Sequence, residues 1–200
     1  MLVGNEFIDE ARLLRRARAV GSPLHFVLTS QGLDSQRLVR WIDAMVAAAP
    51  ATIHWRLSIK LHPVYDQDSG DFSTLQDDKR IRIIGGSELP NVFDLLSDAD
   101  LHLSIASACH FDAAALGIRS VVIPLAGHES VLYAVDGTQI VLARDPEDVW
   151  EIIGYPDTSV MERAHRFSEP NFIANMQKLV CCLTRSELRD RPLHCNVGAR

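Results

Sequence analysis

Residues 55–63 read Trp-Arg-Leu-Ser-Ile-Lys-Leu-His-Pro, and this stretch decides the fold. Trp55–Leu61 is an apolar run of strand length. Pro63 closes it and biases His62 to an extended conformation. Similar short runs recur on both sides: His25–Ser30, Ile81–Ile84, Ala99–Ser104, Ser120–Pro124 and a weaker Gln139–Ala143. Helical patterns fill the gaps. Ser35–Ala49 carries Leu38, Val39, Ile42, Met45 and Val46 at helical spacing, and Pro50 stops it. Leu89–Asp98 and the small-residue stretch Ser107–Leu116 read as helices, the second ended by Gly117. A further helix begins near Pro146, and Val160–Leu183 is mostly helical with a break near Pro170. Tyr65–Lys79 is polar and reads as a loop. Glu6–Val20 is a surface helix ended by Gly21.

Strands alternating with helices in this rhythm imply parallel pairing through right-handed crossovers. The expected architecture is α/β: a Rossmann-like, doubly wound parallel sheet of about six strands with helices on both faces. Residues 1–22 form an N-terminal helix and linker, 23–183 the Rossmann-like domain, and 184–200 a polar tail.

Composition excludes several classes. The chain has 200 residues, 47% of them hydrophobic and 23% charged, so it holds enough apolar material for a core and is not disordered. Its 20 basic and 26 acidic residues leave a net charge of −6, which disfavours nucleic acid as a partner. The one basic cluster, Arg12, Arg15, Arg16 and Arg18, reads first as a solvated helix face and second as a contact for acidic lipid or a partner protein. Cys109, Cys181, Cys182 and Cys195 show neither zinc spacing nor a C-x-x-C pair, so reduced thiols and a cytoplasmic location are expected. No apolar run approaches the roughly 20 residues of a membrane span. No H-E-x-x-H, G-x-S-x-G, G-x-G-x-x-G or Walker sequence is present, and neither metal nor cofactor is expected.

In open sheets of this kind ligands sit beyond the carboxyl ends of the strands. Five segments follow strands there: 30–35, 62–66, 85–90, 104–112 and 124–130. His62 is the expected catalytic group, able to hydrogen-bond a phosphate oxygen or carry a proton. The plain alternative is a histidine that caps its loop by bonding a backbone carbonyl. Ser107 is placed to hold an anion at a helix start, or to act simply as an N-cap. Asp112, one turn on, is placed to accept from a ribose hydroxyl, or simply to favour the positive end of the helix. Gln31, Gly32, Lys60, Gly86, Glu88 and Ser104 complete the expected binding set. His25, His54 and His102 read as structural, and Trp41, Trp55 and Trp150 as core or helix residues rather than a stacking platform.

The run Asn91–Asp100, then Leu101–Ser104, Ser107 with Phe111-Asp112, Leu116-Gly117 and Ser120–Pro124 resembles the nucleotide-binding C-terminal half of GT-B glycosyltransferases. The nearest type is the capsule-polysaccharide and CDP-glycerol glycerophosphotransferase group. There a Lys-x-His-Pro element closes one strand, as Lys60–Pro63 does here, and a Ser-Ser-x-x-x-Asp element opens a later helix. Ser107 and Asp112 match that element, while Ala108 replaces its second serine. Bacterial sialyltransferases of the same architecture also use a His-Pro pair on the donor phosphate. Ile105 and Ala106 stand where the family often has Asp or Thr-Asp, and Ser104 and Asp112 occupy the spacing of the retaining Glu pair, which leans to inverting chemistry. The resemblance covers roughly Leu24 to Val180. It implies a CDP-, CMP- or UDP-linked sugar as ligand and an acceptor-binding half or partner protein. Two other readings stand beside it: a regulatory or assembly domain that kept the fold without the chemistry, and a sugar-nucleotide epimerase-like protein.

Overall fold

A computed structural model describes residues 4–15, 18–19, 21–66, 69–154 and 164–178. Its centre is one parallel sheet in the order β3-β2-β1-β4-β5-β6. The strands are β1 (Leu24–Thr29), β2 (Trp55–Lys60), β3 (Ile81–Ile84), β4 (Leu101–Ser104), β5 (Arg119–Val122) and β6 (Ile140–Leu142). The helices are α1 (Glu6–Leu14), α2 (Ser35–Ala47), α3 (Val92–Ser97), α4 (Cys109–Ala115) and α5 (Asp148–Gly154). The expected six-stranded Rossmann-like sheet is therefore present, with every strand read from the sequence in place.

Alternation along β1 shows how the two layers form. Phe26 and Leu28 face a core with α2 and α5 residues such as Leu38, Ile42, Met45 and Trp150. Val27 faces the other way, onto Ile8 and Ala11 of α1, Leu95 and Leu96 of α3, and Ala113 and Ala115 of α4. β1 is thus buried on both faces, as a central parallel strand must be. Trp150 locks α5 down: its indole N–H donates to the Met45 carbonyl at 2.8 Å, and its ring packs against Phe26 and Trp55.

The element ends differ from the sequence reading for local reasons. The Tyr65–Lys79 stretch is not all loop: it contains a 3₁₀ helix, Ser69–Asp77, that buries Phe72 and Leu75 in the main core. Its two apolar side chains are too few and too far apart to give a periodic signal. α3 starts at Val92 because Asn91 caps it, accepting from the Phe93 and Asp94 amides while Asp94 returns a bond to the Asn91 amide. Another 3₁₀ helix spans His128–Ala134. Within the expected Val160–Leu183 helix, residues 164–166 form a 3₁₀ turn and 172–178 are helical, with the break at Pro170 between them. Residues 155–163 and the tail from 179 onward, including Cys181, Cys182 and Cys195, lie outside the described residues.

The basic cluster requires a correction. α1 ends at Leu14, six residues before the expected Val20, and its arginines turn inward. Arg12 donates to the carbonyls of Ala115 and Ser168, and Arg15 to that of Ala99. The Ala115 carbonyl closes α4 and that of Ala99 lies just past the α3 C-cap, at helix ends where cations are favoured, while Ser168 follows the 164–166 turn. Arg12 and Arg15 therefore do not form a solvated face, whereas Arg18 is exposed and Arg16 lies outside the described residues.

Beneath the sheet's middle runs a buried polar chain. Thr29 Oγ1 pairs with His102 Nε2 at 2.9 Å, and His102 Nδ1 with Ser120 Oγ at 2.6 Å. Ser120 Oγ also meets His110 Nδ1 at 2.7 Å. The chain cross-links β1, β4, β5 and α4. Burial drives both imidazoles below their ordinary range: His110 falls to about 4, and His102 is lowered further by its histidine neighbour.

Both rings are therefore neutral in the folded state at pH 7. As pH falls below about 6.5 the unfolded chain takes up protons that the folded chain refuses, so stability declines between pH 6.5 and 4. The His110 share is on the order of 3 kcal/mol. Thermal melts at pH 7, 6, 5 and 4 should show this decline, and His110→Gln should flatten part of it relative to the parent protein. Equal pH slopes in the two proteins would remove the histidine from the account.

Candidate functional site

The sheet's direction of winding reverses between β1 and β4, which are hydrogen-bonded neighbours. Loops after β1 and β4 therefore leave toward opposite sides, and a crevice opens between them at the carboxyl edge. Four observations show how the surrounding loops meet there.

The loop after β2 is built around His62. Its Nδ1 accepts from the amides of Val64 at 3.1 Å and Tyr65 at 3.2 Å, while its own amide donates to Asp66 Oδ2 at 2.8 Å. Only a ring with its proton on Nε2 satisfies both contacts in the neutral state. The ring does cap its own loop, as the plain alternative had it, but by accepting from backbone amides rather than bonding a carbonyl. Among the described residues no hydrogen bond involves Nε2. Tyr65 stacks on the ring at 4.5 Å between centroids.

The loop after β1 lies against the loop after β2. Gly32 has φ +66°, and a Cβ there would lie 2.8 Å from the Tyr65 carbonyl oxygen. The loop after β3 closes on the same segment. A Cβ on Gly86 would lie 2.3 Å from Pro63 Cα and 2.7 Å from the His62 carbonyl carbon. Neither position has room for a side chain. On the other flank, Gly127 in the loop after β5 approaches Leu33 after β1 and Ile105 after β4.

Lys60 and Glu88 hold these loops from within. The buried Lys60 ammonium donates to the carbonyls of Gly85 at 2.8 Å and Glu88 at 2.5 Å. Burial lowers its pKa, and the nearby Glu88 partly restores it. The Glu88 carboxylate accepts from the Gly85 amide at 3.1 Å. Both side chains thus shape the 85–88 turn that backs His62.

The β4–α4 segment forms the other side. Ser104 is fully buried, and its hydroxyl donates to the Thr29 carbonyl at 2.6 Å, sewing the carboxyl ends of β1 and β4 together. Ser107, one residue before the Ala108 N-cap of α4, accepts from the Cys109 amide at 3.1 Å, a local turn contact at the helix start. Asp112, half-buried on α4, has its pKa raised by burial. Among the described residues no group of three metal-ligating side chains occurs. Likewise no helix there is long and apolar enough to cross a membrane.

The expected residues fall into two groups. Gln31, Gly32, Lys60, His62, Gly86 and Glu88 belong to one set of touching loops. Ser104, Ser107 and Asp112 belong to the segment two strands from β2. β1 stands between, so the two groups are separated by roughly 9–10 Å at strand spacing. At the centre sit residues the sequence reading did not assign. Ser30 is buried just after β1, and among the described residues its hydroxyl has no hydrogen-bond partner. Its position directly after an apolar strand was the available signal. Cys109 places its thiol against Thr29 and Ser107, and burial raises its pKa.

No known family profile matches the chain, and no curated protein matches it in sequence. Solved structures share its fold. A Listeria monocytogenes protein provisionally assigned as a UDP-N-acetylglucosamine 2-epimerase aligns with a TM-score of 0.61 at 14% identity, over 95% of this chain and 54% of that one. The UDP-GlcNAc 2-epimerase of Methanocaldococcus jannaschii, solved with UDP-GlcNAc and UDP, aligns at 0.56 and 16% identity over 92% and 54%. The wall teichoic acid polymerase TagF aligns at 0.53 and 14% identity over 92% and 47%. This chain spans about half the length of these structures. At such identities the likeness shows the fold alone, a Rossmann-like α/β domain with a six-stranded parallel sheet.

Gly86→Ala and Gly32→Ala should each lower stability by about 1–3 kcal/mol, through backbone displacement at Pro63 and Tyr65. Urea unfolding midpoints check this, and unchanged midpoints would mean that the loops do not pack as described.

Proposed function

We propose that residues 23–183 form the donor-binding domain of a GT-B-type glycosyltransferase or glycerophosphotransferase acting in surface or capsular polysaccharide synthesis. Its ligand is a CDP-, CMP- or UDP-linked sugar held at the carboxyl edge. The observation that supports this most is the His62 ring. Two backbone amides occupy Nδ1, which leaves an Nε2–H donor at the edge where ligands bind in such sheets.

That tautomer narrows the chemistry. A general base at Nε2 would need the proton on Nδ1, opposite two amide donors. His62 is suited instead to donate to a phosphate oxygen as negative charge develops on the leaving nucleotide. Ser30, with its unpartnered buried hydroxyl, and the Ser107–Asp112 segment would hold the diphosphate and ribose from the β4 side. Gln31, Gly32 and Gly86 supply close backbone approach, while Lys60, Glu88 and Ser104 position it.

The acceptor and its base would come from a second half or partner protein. Exposed Leu33, Val64, Tyr65 and Leu89 on the carboxyl-edge loops offer apolar surface for that contact. The epimerase-like reading stays in view because two of the three structural likenesses above are to proteins of that name. It predicts product from UDP-N-acetylglucosamine with no acceptor present.

Calorimetric titration of the full chain with CDP, CMP and UDP should give saturable binding of at least one nucleotide. His62→Ala should weaken it about tenfold, the scale of one charge-assisted hydrogen bond. A folded protein with no heat at millimolar nucleotide would contradict the reading.

A further inference from the structure

The edge opposite the crevice holds a cavity of about 1080 Å³. It lies among the amino ends of the strands, far from His62 in the sheet. Arg12, Arg15, Arg18 and Arg56 line it together with Asp98 and Asp100. Its walls also include Pro23 and Leu116, so the charged groups face a half-open, partly apolar space.

The four guanidinium groups are not equivalent. Arg12 meets Asp9 at 3.0 Å, Arg18 meets Asp100 at 3.4 Å, and Arg56 pairs with Asp98. Arg15 has no carboxylate in contact among the described residues. One of its N–H groups donates to the Ala99 carbonyl at 3.2 Å, and the rest of the fork has no acceptor there. Its flanking aspartates are already engaged by Arg18 and Arg56. Helix-end carbonyls account for one bond of Arg15 and for two of Arg12, but not for a half-buried cation with an open fork. The loss of hydration that depresses the Arg15 pKa is consistent with this.

A guanidinium fork recognises an oxyanion through two parallel hydrogen bonds, and desolvation strengthens the contact. We propose that this amino-edge cavity is a second binding site, separate from the carboxyl-edge crevice, which takes a small anion bearing a phosphoryl group on Arg15. Arg12 and Arg18 lie in the same wall, each paired with an aspartate, so Arg15 is the cation left to meet the anion. Pro23 and Leu116 accommodate an apolar part of the ligand.

The test titrates the full chain with inorganic phosphate and pyrophosphate, and with succinate as a carboxylate comparison. Saturable pyrophosphate binding is expected, weakened at least about tenfold by Arg15→Gln and unchanged by His62→Ala. Should Arg15→Gln fail to fold, Arg18→Gln, on a side chain 43% exposed, is expected to weaken binding severalfold with the fold intact. No saturable binding by the folded parent protein would overturn the proposal. So would indifference to both arginine changes, or a preference for succinate over the phosphates. Because His62→Ala should abolish nothing here, failure of this site and failure of the carboxyl-edge site are read separately.

Discussion

The structure depends on the parallel pairing of β1 with β4. That pair marks where the sheet reverses its winding, and everything of functional interest is arranged around it. The Ser104 hydroxyl binds the Thr29 carbonyl across the seam. Just below, His102 spans from Thr29 to Ser120. Polar side chains inside a sheet are costly unless paired, and here they are paired with one another across three strands. The pairing fixes the seam's register and leaves the carboxyl ends of β1 and β4 as a rigid floor.

On that floor the loops are positioned by contact rather than by length. Gly32 packs on Tyr65, Gly86 on Pro63, and Gly127 on Leu33 and Ile105. The Lys60 ammonium reaches across from β2 to hold the turn after β3. His62 consequently owes its orientation to neighbours on three loops, not only to the proline that follows it. A histidine whose Nδ1 is occupied by amides presents a defined donor, which suits it to stabilising charge at a fixed place.

Much of this was legible in the sequence, and the reasons are particular. Short apolar runs closed by Pro63, Gly85 or Ser104 identify buried parallel strands, because such strands hide both faces and lose alternation. The place of His62 at a strand end was legible but its ring contacts were not, since the amides of Val64 and Tyr65 become donors only once the turn is formed. Ser107 was legible as a choice between capping and anion contact; its bond to the Cys109 amide is a turn contact one residue before the Ala108 cap. The 3₁₀ segment with Phe72 and Leu75 had too little periodicity to read. Arg12, Arg15 and Arg18 look like a solvated face in one dimension. The direction of Arg12 and Arg15 is set by the carbonyls of Ala115 and Ala99, far away in the chain. Lys60 and Ser104 were legible as polar groups at strand ends, yet the partners that engage them belong to neighbouring elements.

The account's central claim is that nucleotide binds at the carboxyl edge, across the β1–β4 seam. Amide chemical shifts of the isotopically labelled chain, followed while CDP or UDP is added, test it most directly. The predicted result is a set of perturbed amides confined to 30–33, 62–65, 85–88 and 104–112. Perturbations centred instead on residues 12–22 and 97–100 would put the nucleotide at the opposite edge and contradict the claim.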